Sequence, residues 1–143
     1  MKNEIYGKLA DLKKYVELLE RYSSHTKKEL KNDLTLRGAV ERYMQVALEI
    51  VIEIGDMIIA KEGFRKPERY REVIEILGEN NILPKAFARL FAPAAGFRNI
   101  LVHRYGDIDL DILYKHLKNN TKDFDTFARH IAKYLKKSPL ESV

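Results

Sequence analysis

Arg98, Asn99, His103 and Tyr105 bring a guanidinium, an amide, an imidazole and a phenol together within eight residues of an otherwise apolar stretch, Gly96-Phe97-Arg98-Asn99-Ile100-Leu101-Val102-His103-Arg104-Tyr105. Imidazole is the side chain whose unperturbed pKa lets it give and take protons near neutrality. A guanidinium stays charged and can hold two phosphate oxygens at once. Side by side, the two groups form a minimal kit for cutting a phosphodiester without a metal.

The helix that carries them complicates that chemistry. At 3.6 residues per turn, Asn99 and His103 are i, i+4 neighbours on one face. Arg98 and Tyr105 share a face to within roughly 20°, whereas Arg98 and His103 lie roughly 140° apart. A straight helix therefore does not aim both groups at one phosphate. Either a bend at Pro93 and Gly96 lets the long Arg98 side chain wrap across, or two copies of the helix meet across a two-fold axis and share a cleft. Plainer roles stay open for each residue: His103 as a helix-end residue, Arg98 paired with an acid such as Asp56, and Tyr105 packed by its ring.

The elements around this segment are helical throughout. Ile5, Leu9, Leu12, Val16 and Leu19 recur at three- and four-residue spacing and predict a first helix over 2–22, broken by Ser23-Ser24-His25-Thr26. Asp33 or Thr35 caps a long second helix that stops at Gly63. Lys66-Pro67-Glu68 suits the first turn of a third, ending near 78–81. Leu83-Pro84 opens the helix that bears the motif, and residues 109–119 and 123–137 read as two closing helices. No segment alternates with period two, so the chain reads as one all-α domain over 1–143, an up-and-down helical bundle of five to six helices. Between Val46 and Ala60 the second helix is polar only at Glu49, Glu53 and Asp56, on one narrow stripe. Its apolar face is wider than a surface helix needs, which points to cover by the bundle or by a second subunit. Asp56 is read as the solvated end of that stripe.

Composition bounds the rest. Hydrophobic residues make up 45% and charged residues 33% of 143, a folded rather than a disordered balance. The chain has no cysteine, which excludes disulfides and thiolate metal sites and fits a reducing, cytoplasmic setting. Its N-terminus has no apolar signal core, and Val46–Ala60 is too short and too acidic to span a bilayer. A net charge of +5 favours a phosphate-bearing partner without identifying one. Nothing resembles a glycine-rich phosphate loop or a nucleotidyltransferase motif, so this chain is not expected to transfer AMP itself, and no cofactor is expected.

The motif resembles the signature of the HEPN superfamily in its HepT-like branch: Arg, a polar residue, a short spacer, His, and Tyr two residues later. Arg98, Asn99, His103 and Tyr105 fit without a gap. Upstream, Leu36–Ala47 and Ile54–Ala60 are similar to that branch's long second helix, and Ile76-Leu77-Gly78 with Ile82-Leu83-Pro84 to the junction before its motif. The resemblance covers about residues 5–135. It implies an all-helical homodimer with the two motifs meeting at the dimer interface. The implied activity is that of a metal-independent endoribonuclease, the toxin of a toxin–antitoxin pair. Arg98 and His103 would be catalytic and Asn99 would support them or bind RNA. The implied partner is a minimal nucleotidyltransferase that silences the toxin by attaching AMP to Tyr105. The alternative is a non-catalytic subunit that presents a nucleotide or substrate to that nucleotidyltransferase.

Overall fold

A computed structural model describes residues 1–104 and 107–137, and among these it forms six α-helices and no strand. They are α1 (Lys2–Tyr22), α2 (Lys27–Asn32), α3 (Leu34–Glu62), α4 (Tyr70–Glu79), α5 (Lys85–His103) and α6 (Leu110–Lys137). The α1 helix matches its predicted span, with Ile5, Leu12, Val16 and Leu19 buried. Of the two candidate caps for α3, Asp33 is the one used: its Oδ1 accepts from Leu36 N at 3.0 Å. Gly63 ends the helix in the left-handed region at φ 72°.

Three features depart from the sequence reading. The break at 23–26 stands where expected, but a short helix that the pattern did not announce, α2, follows it before α3. There Thr26 and Glu29 satisfy each other's backbone N–H in a reciprocal capping box. The third predicted helix begins at Tyr70, later than Lys66-Pro67-Glu68. Arg65 holds the preceding segment against α4 through Glu72 at 3.2 Å and Glu79 at 2.7 Å. Arg69, in extended backbone, then precedes the first helical residue. Finally, the two closing helices are one. Asn119-Asn120-Thr121-Lys122 looks like a breaker, yet Asn120 and Thr121 are buried and His116 Nδ1 donates to Asn120 Oδ1 at 3.1 Å. With its side chain satisfied one turn away, Asn120 does not compete for the backbone.

The central helix is α3, with α1, α4 and α5 packed around it and α2 and α6 touching it. Its wide apolar face is covered from within the chain: Val51, Ile54 and Ile58 are fully buried and Ile50 and Ile52 nearly so. That face therefore does not require a second subunit. The motif helix α5 runs unbroken through Pro93 and Gly96. Pro93 and Arg89 are both exposed, so the carbonyl that the proline leaves unpaired faces water. Phe91 meets Phe124 edge-on at 5.7 Å, and Phe97 stacks on His116 at 4.2 Å, fixing α5 against α6. Burial holds the His116 imidazole below its usual range, keeping it neutral in this stack.

Glycine sets the spacing of α4. A Cβ at Gly55 would stand 2.3 Å from Val73 Cγ1, a buried and rotamer-restricted neighbour. Gly55→Ala gains about 1 kcal/mol of helix propensity but forces an overpacked contact costing roughly 1–3 kcal/mol. The clash wins because Val73 has little room to turn. The variant is expected to melt a few degrees below the parent in a thermal unfolding scan, and an unchanged midpoint would contradict this packing. No helix among the described residues is long and apolar enough to cross a membrane.

Candidate functional site

The position of each motif residue follows from which side of α5 is buried. Ala94, Ala95, Phe97 and Leu101 face the core. That leaves Arg98 half-buried at the edge and Asn99, Ile100, His103 and Arg104 outside.

Arg98 is fixed by two residues from other helices. Its Nη2 donates to Glu49 Oε2 on α3 at 3.3 Å, and its Nη1 donates to the Tyr70 hydroxyl at 3.2 Å. The guanidinium carbon lies 4.8 Å from the centre of the Tyr70 ring, a cation–π contact. Glu49 is itself oriented by Gln45, whose Nε2 donates to Glu49 Oε1 at 3.0 Å. An arginine has five N–H donors. Two are engaged here, so the fork retains donors for a phosphate while its plane is already set.

His103 is the last residue of α5 and is exposed, and its ring makes no hydrogen bond among the described residues. Nothing there competes for its protons. Asn99 is exposed as well and lines a cleft of about 340 Å³ together with Asp56, Arg69 and Tyr70. Tyr105 lies outside the described residues. Within one chain, then, the structure links Arg98 to the Asn99 cleft through Tyr70, while no contact joins Arg98 to His103 among the described residues.

The acid paired with Arg98 is Glu49, two helical turns before Asp56 on the same stripe. Asp56 is exposed and unpaired among the described residues, with its carboxyl raised by partial burial and by Glu53. Sequence reasoning missed Glu49 and Tyr70 as members of the site. Glu49 did carry a signal, as the first acid of the polar stripe on an apolar helix. Tyr70 carried none, because only the fold brings the start of α4 beside α5.

Fold and motif together define an all-helical protein that displays an Arg-Asn…His sequence at the end of its fifth helix, the HEPN arrangement. The model of the family described as "Ribonuclease HepT-like" matches residues 12–131. The chain is similar to the mRNA nuclease HepT of Shewanella oneidensis, at 26% identity over 127 residues, covering 89% of this chain and 95% of that protein. It is similar also to the tRNA nuclease HepT of Aphanizomenon flos-aquae, at 30% identity over 127 residues, covering 84% and 86%. A solved structure of a tri-AMPylated S. oneidensis HEPN toxin in complex with its MNT antitoxin superposes with a TM-score of 0.81 at 26% identity, covering 93% of this chain and 99% of that one. The chain belongs to the ribonuclease HepT-like family.

Proposed function

We propose that this chain is a metal-independent endoribonuclease, the cytoplasmic toxin of a toxin–antitoxin pair, active as a homodimer with its catalytic cleft at the two-fold interface. One observation carries the reading: a guanidinium held in place by Glu49 and Tyr70, with donors to spare, shares a helix with an exposed, uncommitted imidazole. The family's name and the nuclease relatives support the activity. Leu90, Pro93 and Ile100 are exposed on α5, and this apolar surface supports pairing of two copies along the helix. Pairing would also let one copy's Arg98 act with the other copy's His103, the two groups lying roughly 140° apart around a single helix.

In that cleft the ribose 2′-hydroxyl gives its proton to His103 as its oxygen bonds to phosphorus. Arg98 stabilises the charge that builds on the phosphoryl oxygens. The bond from phosphorus to the 5′-oxygen breaks, and that oxygen takes a proton from the His103 of the second copy. The products are a 2′,3′-cyclic phosphate and a 5′-hydroxyl. Asn99 orients the imidazole one turn away or an RNA group. The purified protein is expected to cut RNA in excess EDTA; RNA left whole would sink the nuclease reading. Tight nucleotide binding without cutting would instead favour the presenting subunit, a role that the existing Glu49–Arg98 pair also suits.

Glu49 sits beside the group that must meet a phosphate, so its removal acts in two directions. Glu49→Gln releases the guanidinium from its set plane, and misplacement of this kind costs roughly 10- to 100-fold in kcat. It also removes a negative charge, so KM for RNA is expected to fall or stay level. A kcat equal to the parent's would show that Glu49 does not position Arg98.

The regulation implied by the partner is covalent. The nucleotidyltransferase would direct the Tyr105 oxygen to the α-phosphorus of ATP, forming a Tyr–AMP diester and expelling pyrophosphate.

A further inference from the structure

The cleft beside Arg98 has features that phosphate binding does not explain. Its walls include the apolar surfaces of Pro67, Tyr70 and Val73 and the polar ends of Asp56, Arg69 and Asn99. At about 340 Å³ it falls at the small end of the range for small-molecule sites. Tyr70 is shared with Arg98, so an occupant of the cleft lies next to the guanidinium. Asn99 follows Arg98 directly in the chain. A nucleotide whose phosphate rests on Arg98 would thus have its base within reach of this space.

The polar groups are unspent. Neither the Asp56 nor the Asn99 side chain has a hydrogen-bond partner among the described residues. Arg69 has only a loose contact to Glu72, at 3.8 Å, with its side chain 78% exposed. The lining holds two carboxylates, Asp56 and Glu68, against the single guanidinium of Arg69. That balance repels a phosphate and favours a ligand edge rich in N–H donors. Among the four RNA bases, guanine is the one that presents two adjacent donors, N1–H and the N2 amine, to a carboxylate. Its adjoining edge carries O6 and N7, the acceptor pair that a guanidinium grips best.

We propose that this cleft is a guanine-binding subsite, in which Asp56 accepts from the guanine N1–H and N2 amine, Arg69 donates to O6 and N7, and Asn99 contacts the adjoining ribose or base. The subsite rests on the reading of Arg98 as the phosphate anchor, and it would give the nuclease a preference for cutting beside guanosine.

The test measures binding of guanosine, adenosine, cytidine and uridine monophosphates, as 3′ and 5′ esters, to the intact protein. RNA cleavage in EDTA is followed in parallel. The guanosine esters are expected to bind roughly 10-fold or more tightly than the others. Asp56→Asn turns one acceptor into a donor facing the guanine amine, and should erase most of that preference. Arg69→Ala, an exposed substitution, should erode it independently. Equal binding of all four, binding of none, or a preference that survives both substitutions would overturn the subsite. RNA cut without regard to guanine would remove this inference and leave the nuclease standing. Guanosine preference lost in Asp56→Asn, with RNA uncut throughout, would keep the subsite and remove the nuclease.

Discussion

Arg98→Ala and His103→Ala are each expected to lose nearly all RNA cleavage while remaining folded. Removing a preorganised donor to a developing oxyanion costs about 100- to 1,000-fold, and removing a general acid–base group about 100- to 10,000-fold. The stability cost is much smaller. His103 is exposed and has no hydrogen bond to lose among the described residues. Arg98 loses a partly exposed pair with Glu49 and its stacking on Tyr70, together on the order of 1–2 kcal/mol. A parent-like circular dichroism spectrum and a cooperative thermal transition, lowered by only a few degrees in Arg98→Ala, beside a cleavage rate reduced at least 100-fold, are the expected pattern. The two variants should differ in binding. Without Arg98 the protein should hold RNA less well, because a phosphate contact is gone, whereas without His103 RNA should bind as before and stay uncut. Full cleavage by both variants would remove the site from the chemistry.

Incubation with the partner nucleotidyltransferase and ATP is expected to add one or more AMP groups to the chain and to stop cleavage. Tyr105→Phe is expected to block the first adduct and preserve activity in the presence of the partner. The effect on RNA has a simple electrostatic origin. A phosphodiester attached to Tyr105, seven residues after Arg98 in the sequence, would add negative charge and bulk that compete with RNA for the guanidinium. Occupying Arg98 in this way should cost about as much as deleting it, roughly 100-fold or more. The solved complex of a tri-AMPylated relative with its antitoxin makes the experiment direct, since intact mass reads the adduct and a gel reads the cleavage. An adduct on another residue, with activity lost equally in Tyr105→Phe, would contradict the assignment.

Local patterns made much of the fold legible, and contacts between distant segments explain what they missed. The α1 helix was readable because its apolar spacing is regular, and the ends of α3 because Asp33 and Gly63 act within one turn of themselves. By contrast, Asn119-Asn120-Thr121-Lys122 reads as a break in sequence and is continuous helix in the fold. What decides it is burial of Asn120 and its bond to His116. The late start of α4 depends on Arg65 reaching residues 7 and 14 positions away. In the same way, the motif announced Arg98, Asn99 and His103, because they are close in the chain. Glu49 and Tyr70 come from 49 and 28 residues away, and periodicity carries no information about such pairings. The wide apolar face of α3 showed a further limit. Its width points equally to cover by the bundle or by a second subunit, and the chain's own helices supply the cover. The case for a dimer passes instead to the exposed side of α5.

That case and the chemistry meet in the termini that the cut RNA carries. The purified protein, given a defined RNA in excess EDTA, should leave 2′,3′-cyclic phosphate and 5′-hydroxyl ends. Those ends arise when the ribose hydroxyl attacks its own phosphate with only side chains to move the protons. Their formation should vanish in both Arg98→Ala and His103→Ala. Products with 5′-phosphate and 3′-hydroxyl ends, or cleavage that needs an added divalent ion, would contradict a site built from Arg98 and His103 alone.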